Sequence, residues 1–234
     1  SETIAKTGRE TQKQFLDYCL QFFRQALLLN YKSPELVFLE TQTPKFNLQN
    51  FAPFVHSENI LAIGLSNETP WGTMKYLQTA NAHNLVRPIT IQNSYSMIHR
   101  AYEAGMSEVS MREDIGLLAY SPLAQGVLSG KYLDGKSPEG SRGNLFPRFI
   151  ARYMGDGSLE AVKRYEAIAK KNGITLTELS LAFVNQLPFV TSNIIGATKM
   201  SQLKENIGSI YIELSEETLQ EIAEVHAMIP NPAP

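Results

Sequence analysis

The stretch Leu117–Tyr132, which reads LLAYSPLAQGVLSGKY, decides the fold. Its first three residues are apolar and suit a buried parallel strand that ends at Tyr120. Pro122 has no N–H group and cannot continue a central strand, so a turn with free backbone N–H groups is expected before Lys131. Ligands of α/β proteins bind at the carboxyl ends of strands. The stretch therefore has two interpretations. Tyr120 stacks on a planar heterocycle while the turn and Lys131 bind a phosphate, or Tyr120 is a core tyrosine followed by an ordinary loop.

The composition indicates one globular domain and excludes several classes of partner. The chain has 234 residues, 43% of them hydrophobic, which is enough for a sizeable core. Its net charge of −2 gives no sign of nucleic-acid binding, and no apolar run approaches the roughly 18 residues of a membrane span. Cys19 is the only cysteine and the first residues are polar, so we expect a cytoplasmic location. The scattered histidines are expected to face solvent or cap helices.

Strands and helices alternate along the chain, which is typical of a parallel sheet covered by helices. Five strands are expected, near Leu36, Ile60, Ile89, Gly116 and Ser192. Helices are expected over Phe15–Leu29, Leu48–Val55 and Arg100–Met111, and after the capping residues Thr69, Ser158, Thr175, Thr198 or Ser201, and Ser215. The stretch from Asp134 to Phe149 is expected to be a long loop, and the last six residues to be irregular.

Polar residues follow four of these strands, and around them the chain resembles a known family. The segments are IGLSNETPWGTMKYL, TIQNSYS, LLAYSPLAQGVLSGKYL, LAFVNQ and IIGATKMSQLKENI. They resemble the aldo-keto reductases, in particular the Tas-like and potassium-channel β-subunit-like branch, in the family's order and spacing. The resemblance implies an α/β fold, a partial (β/α)8 TIM barrel with roughly the C-terminal four to five β/α units. Residues 1–234 would form one incomplete domain, and residues 59–234 its well-matched C-terminal half.

The resemblance also implies a binding site for NADP(H). Ser66, Asn67 and Gln92 are expected to hold the nicotinamide carboxamide, because their side chains can donate and accept hydrogen bonds. Tyr120 is expected to stack on the nicotinamide ring. The pyrophosphate is expected to contact Ser121, Pro122, Leu123, Gly126, Lys131 and Arg142. The 2′-phosphate is expected to contact Gly196, Thr198, Lys199 and Gln202. The adenine and ribose are expected to contact Glu205 and Asn206.

Each of these residues also has a purely structural interpretation. Ser66 could be no more than a strand-end cap, Lys131 could be a surface charge, and Gln202 could belong to a solvated helix face. The ordered set favours the cofactor site, because independent surface residues would not keep the family's order and spacing. A site of this kind requires Gln92, Tyr120 and Asn206 to line one cleft.

The family's catalytic residues are not found in this sequence. The family reduces aldehydes or ketones with hydride from NADPH, while a tyrosine, tuned by a lysine and an aspartate, gives the proton and a histidine orients the carbonyl. No Asp-Thr-Ala followed by Tyr-Gly occurs, and Glu40-Thr41-Gln42 stands about where the histidine is expected. We therefore expect the first strand and its tyrosine to lie beyond Ser1, in which case the sequence is truncated.

Three interpretations remain open. The chain is an NADP(H)-dependent oxidoreductase of the aldo-keto reductase type that acts on a small-molecule carbonyl substrate and is inactive as it stands. Alternatively, it is a non-catalytic NADP(H)-binding or regulatory protein, or a truncated gene product. The sequence identifies neither the carbonyl substrate nor the oligomeric state.

Overall fold

A computed structural model describes residues 62–233, which contain a four-stranded parallel sheet. The strands are β1 (Gly64–Ser66), β2 (Thr90–Ser94), β3 (Gly116–Tyr120) and β4 (Val190–Ile194). Neighbours in the sheet are neighbours in the sequence, and every pair is parallel. Consecutive β/α units of a (β/α)8 barrel have this order, so the predicted α/β fold and its partial barrel are confirmed. The predicted strand at Leu36 and the helices before residue 60 lie outside the described residues.

Eight helices connect or follow these strands within residues 62–233. They are α1 (Pro70–His83), α2 (Met106–Glu113), α3 (Arg142–Leu145), α4 (Pro147–Ile150), α5 (Asp156–Lys171), α6 (Leu176–Asn185), α7 (Met200–Gly208) and α8 (Glu216–Met228). Short 3₁₀ turns cover Ala101–Ala104, Ala124–Ser129, Leu133–Gly135, Ala151–Tyr153 and Ser209–Tyr211. In this part of the chain no helix combines the length and the apolar character that crossing a membrane requires.

Three predicted helix starts are confirmed and two are wrong. Thr69, Thr175 and Ser215 each accept a hydrogen bond from a backbone N–H in the first turn of α1, α6 and α8. Ser158 does not cap α5, which begins two residues earlier after Gly155. The Ser158 hydroxyl instead donates to the carbonyl of Pro232.

The start of α7 also differs from the prediction. Lys199 is the residue that precedes the helix, so neither Thr198 nor Ser201 caps it. The side chain of Gln202, one turn into the helix, accepts from the N–H of Lys199 at 3.2 Å. An acceptor from inside the helix therefore replaces the expected cap.

The two faces of the sheet differ in burial. Ile91, Leu117 and Ala119 are fully buried against the helices. Ser66 and Gln92 share a register position and are exposed on the opposite face. Since side chains alternate along a strand, the polar strand ends lie on the face that corresponds to the interior of a (β/α)8 barrel.

A register shift between β3 and β4 at Leu117 and Leu118 brings Thr191 over Gly116. A Cβ atom on Gly116 would lie 1.7 Å from Thr191 Oγ1. A side chain on residue 116 would therefore require the Thr191 side chain to move, a change that glycine avoids.

An aromatic and ionic cluster packs behind the end of β2. The Tyr95 ring meets the Phe189 ring edge to face at 5.6 Å, and its hydroxyl donates to the Glu103 carboxylate. The Arg100 guanidinium donates to both oxygens of Glu103, at 2.6 and 2.8 Å. Burial raises the pKa of Glu103, but the hydrogen bonds from Arg100 and Tyr95 outweigh it, so the net pKa is lowered. Burial strongly raises the pKa of Tyr95.

The C-terminal tail, residues 229–233, is irregular as predicted but is docked on the segment that follows β2. Ala233 is fully buried. Four hydrogen bonds hold the tail: Ala233 N–H to Ile98 O, His99 Nδ1–H to Ala233 O, Arg100 N–H to Asn231 Oδ1, and the Ser158 hydroxyl to Pro232 O. Hydrogen bonds from the tail therefore hold the His99 side chain and the Arg100 backbone in place.

Candidate functional site

The structure brings the polar ends of β1, β2 and β3 together. The Tyr120 hydroxyl donates to Asn67 Oδ1 at 2.9 Å, and Asn67 Nδ2 donates to Ser66 Oγ at 3.2 Å. Asn67 has a φ of 52°, a left-handed conformation that asparagine tolerates better than most residues. Gln92 pairs in register with Ser66. These four residues, all predicted from the sequence, thus form one polar surface.

The turn after β3 holds an unusual backbone. Ser121, Ala124 and Gln125 have φ values of 56°, 47° and 58°. Non-glycine residues in this region cost on the order of 1–3 kcal/mol each and cluster at functional sites. The free N–H groups expected in this turn are partly used, since Ala124 and Gly126 donate to carbonyls within it at 2.8 Å. Two N–H groups of the turn are thus already engaged within the protein.

Lys131 supplies one cation beside this turn. Its ammonium lies close to the turn, because a Cβ atom on Gly126 would come within 2.9 Å of Lys131 Nζ. The same nitrogen lies 5.2 Å from the centre of the Tyr132 ring. Among residues 62–233 no carboxylate forms an ion pair with it. The charge of Lys131 is available to a ligand.

Arg142 supplies the second cation through a residue that the sequence reasoning missed. Its guanidinium donates to Gln125 Oε1, and Gln125 Nε2 donates to Ser121 Oγ at 2.8 Å. The stretch expected to be one long loop contains α3 and α4, which start after Ser141 and at Pro147. Those cap and Pro signals could have revealed both helices.

At the start of α7, several donors converge on one point. Gln202 Oε1 accepts from the N–H of Thr198 at 3.0 Å, the Thr198 hydroxyl at 3.2 Å and the N–H of Lys199 at 3.2 Å. Backbone N–H groups at a helix N-terminus favour anions. An anionic oxygen could take the place of the Gln202 amide oxygen here.

Glu205 and Asn206, predicted to contact adenine and ribose, have protein partners. The Glu205 carboxylate accepts from the Thr175 hydroxyl at 2.7 Å. Asn206 is 5% exposed, and its Nδ2 donates to the carbonyl of Gly196 at 3.4 Å. Both residues thus join α7 to neighbouring segments.

A pocket of about 290 Å³ opens at the ends of β1, β2 and β3. Its lining residues are Asn67, Glu68, Pro70, Asn93, Ser94, His99, Ala101, Tyr102, Met106, Tyr120 and Arg152. Tyr120 lines this pocket, whereas Gln92 and Asn206 do not, so this pocket does not meet the requirement that the three share one cleft. Gln92 joins Tyr120 only through the polar surface, as the register partner of Ser66, and Asn206 lies at α7 beside Gly196. The sequence reasoning also missed Ser94, which the two-residue period from Gln92 along β2 could have indicated.

His99 differs from the expectation of a solvent-facing histidine. It is half-buried in the pocket wall, and because a carbonyl can only accept, its Nδ1 must donate to Ala233 O at 2.7 Å. Burial lowers the pKa of His99, and the nearby charge of Arg152 adds to this effect. The lowered pKa favours the neutral form of His99, in which Nδ1 donates and Nε2 can accept a hydrogen bond.

No group of three or more histidine, cysteine, aspartate or glutamate side chains could hold a metal ion within the described part of the chain. The polar surface, the turn after β3 and the start of α7 are instead suited to an organic ligand that carries amide-like and anionic groups.

Comparison with known proteins identifies the family. The profile of the Aldo/keto reductase family matches residues 51–227, and the chain belongs to this family. It is 48% identical over 187 residues to "Protein tas" of Escherichia coli (strain K12), a match that covers 80% of this chain and 54% of that protein. The predicted family and branch are confirmed.

Two further relatives illustrate the range of the family. An "L-glyceraldehyde 3-phosphate reductase" of Escherichia coli O157:H7 is 30% identical over 175 residues, 72% of this chain and 50% of that protein. A "Probable voltage-gated potassium channel subunit beta" of Arabidopsis thaliana is 35% identical over 151 residues, 60% of this chain and 46% of that protein. The chain spans about half the length of these curated relatives.

Proposed function

We propose that this chain forms the NADP(H)-binding half of an aldo-keto reductase that reduces a small aldehyde or ketone. The observation that carries the proposal is the polar surface of Ser66, Asn67, Gln92 and Tyr120 at the carboxyl ends of parallel strands. Membership of the Aldo/keto reductase family supports it.

The polar surface suits a nicotinamide carboxamide. That group has one acceptor oxygen and two N–H donors, and the amides of Asn67 and Gln92 with the Ser66 hydroxyl can complement both. The Tyr120 hydroxyl bond to Asn67 holds the ring in a fixed orientation, in which it can stack on one face of the nicotinamide. The bound cofactor would supply the hydride, while these residues hold and orient its ring.

The positive groups suit the phosphates. Lys131 and Arg142 flank the turn that includes Ser121, Pro122, Leu123 and Gly126 and would neutralise a pyrophosphate. Thr198, Lys199 and Gln202 at the start of α7 would bind a 2′-phosphate, which favours NADP(H) over NAD(H). Gly196, Glu205 and Asn206 would adjoin the adenine and ribose.

The first experiment measures cofactor binding. Purified chain is titrated with NADPH while nicotinamide fluorescence is followed. We expect saturable binding that Lys131→Ala weakens about tenfold, because a charge-assisted contact to phosphate is lost. Tyr120→Ala should weaken it too, since the stacking ring is removed.

A matched control for Lys131→Ala is Lys170→Ala, which removes an exposed lysine on α5 that pairs with Glu166. NADPH affinity should be unchanged in this variant. Wild-type affinity in both Tyr120→Ala and Lys131→Ala would refute the assigned site.

A second candidate function is non-catalytic cofactor binding with a regulatory role. It is favoured by the lack of an Asp-Thr-Ala and Tyr-Gly pair in the sequence and by relatives described as potassium-channel β subunits. The test adds 4-nitrobenzaldehyde to the NADPH complex. We expect no NADPH oxidation above background, because the family's proton donor is not found in this sequence and the chain is proposed to be inactive as it stands. Aldehyde-dependent oxidation would contradict that inactivity and rule out the second candidate.

A further inference from the structure

We propose that Arg152 binds the acidic group of a small hydroxylated carbonyl substrate in the pocket at the ends of β1, β2 and β3. This inference rests on the proposed function, because it names the substrate class of the same site. Arg152 was not among the residues expected to contact the cofactor. Tyr120 and Asn67 line the pocket and also belong to the polar surface proposed for nicotinamide, so a ligand in the pocket would adjoin the reacting ring.

Two contacts orient the guanidinium of Arg152, and most of its N–H donors remain free within the described residues. It lies 4.6 Å from the centre of the Tyr153 ring, and its Nη2 donates to Ser94 Oγ at 3.3 Å. An arginine has five N–H donors in a planar fork that matches a carboxylate or a phosphate. Stacking and one weak hydrogen bond therefore orient the fork and leave donors for a ligand.

The charge balance of the pocket favours an anion. No carboxylate of residues 62–233 forms an ion pair with Arg152. The carboxylate in the pocket wall, Glu68, already accepts from the Thr69 N–H at 2.9 Å and from its hydroxyl at 3.3 Å. It also lies beside the N-terminus of α1, whose dipole offsets a negative charge. An anionic ligand would therefore meet a guanidinium that no described carboxylate pairs, whereas the Glu68 carboxylate is engaged by Thr69 at the N-terminus of α1.

An acceptor in the pocket wall suits a ligand with a hydroxyl group. His99 lines the pocket and offers Nε2 in its neutral form, since its Nδ1 donates to Ala233 O. The volume of about 290 Å³ is at the lower end for small-molecule sites, so the ligand is small.

The test measures binding of three matched probes by calorimetry: glycerate, glycerol 3-phosphate and glycerol, each with and without saturating NADPH. We expect at least one anion to bind about tenfold or more tightly than glycerol. The tighter anion shows whether the acidic group is a carboxylate or a phosphate. Arg152→Gln should weaken anion binding about fivefold, a modest loss because the arginine is exposed.

Two variants sharpen the assignment. Arg152→Lys keeps the charge without the planar fork and should give an intermediate affinity. Arg148→Gln removes an exposed arginine of α4 that does not line the pocket, and it should bind the anions like the wild type. NADPH affinity should not change in any of the three variants.

The outcomes separate this inference from the proposed function. Equal affinity for glycerol and both anions, or wild-type anion affinity in Arg152→Gln, overturns the inference even if NADPH binds. Failure to bind NADPH overturns the proposed function, while an anion preference that Arg152→Gln removes would still support the anion site. The titrations without NADPH allow anion binding by the wild type and by Arg152→Gln to be compared even if NADPH does not bind.

Discussion

Gly126 shows how a single residue shapes the candidate site. Its φ of +97° disfavours a side chain, and a Cβ atom would lie 2.9 Å from Lys131 Nζ, so the lysine would have to move. We expect Gly126→Ala to lower the free energy of unfolding by about 2 kcal/mol, because a left-handed alanine is strained and its Cβ displaces the lysine. Urea denaturation measures the stability, and NADPH titration should show a weaker affinity.

Gly135→Ala is the matched control for Gly126→Ala. Gly135 also has a positive φ, +71°, but apart from its chain neighbours no atom of residues 62–233 lies within 4 Å of its Cβ position. Its substitution should cost about 1 kcal/mol of stability and leave NADPH affinity unchanged. Equal effects of the two substitutions on NADPH affinity would contradict a specific role for Gly126.

The residues of the candidate site were predictable where they directly follow a strand. Ser66, Asn67 and Tyr120 stand after short apolar runs, and parallel strands bring such positions to one edge. Arg152 was not predictable, because its partner Ser94 lies 58 residues away. A surface arginine in a loop carries no periodic signal, so only the packing of the loop brings it to the strand ends.

At the scale of elements, the start of α6 connects helix stability with the candidate site. Thr175 forms the predicted capping box with Glu178, and its hydroxyl also donates to Glu205 on α7. Thr175→Ala should lower the free energy of unfolding by about 1 kcal/mol through the lost cap. It should also free the Glu205 carboxylate and alter NADPH affinity, which fluorescence titration measures.

Thr175→Ser keeps a hydroxyl and should restore both stability and affinity. Ser215→Ala removes the cap of α8, a helix that lacks a residue assigned to the cofactor, and serves as the control. Stability should fall by a similar amount, with NADPH affinity unchanged. A change of affinity in Ser215→Ala would show that lost stability alone explains the effect of Thr175→Ala.

Elements were predicted best where several local signals agreed. The bounds of β3 were predicted correctly, because a buried apolar run ends at a turn that contains proline. The start of α5 was misplaced because the Ser158 hydroxyl bonds to the C-terminal tail, 74 residues away. A serine in a capping context has no sequence feature that reveals such a distant partner.

At the scale of the whole molecule, two half-buried histidines predict a pH dependence of stability. Burial lowers the pKa of His99 and of His226. Below the ordinary histidine pKa of about 6.5, the unfolded chain binds protons that the folded chain resists. The free energy of unfolding should therefore fall as the pH decreases from 7.5 to 5.5.

Urea denaturation at pH 7.5, 6.5 and 5.5 checks this expectation, and His99→Gln combined with His226→Gln should flatten the dependence. Glu103 affects stability in a separate, more acidic pH range. Because its pKa is lowered in the folded protein, stability is lost only when the pH falls below the ordinary glutamate pKa of 4.5. Stability that is constant or rises towards pH 5.5 would show that the two histidines do not control this range.

The fold class was predictable because the alternation of strands and helices leaves few ways to bury the apolar faces. The docking of the C-terminal tail was not predictable. The tail has few apolar residues, and its position depends on hydrogen bonds between backbone and side-chain groups to residues more than 100 positions earlier in the chain.

That docked tail has a practical consequence for protein production. An affinity tag fused after Pro234 would begin two residues beyond Ala233, which is fully buried. A flexible, hydrated extension would draw this alanine outwards and loosen the carbonyl that holds the His99 ring. The tag should therefore be cleaved before any ligand titration, since weak binding by the tagged protein would be an effect of the tag.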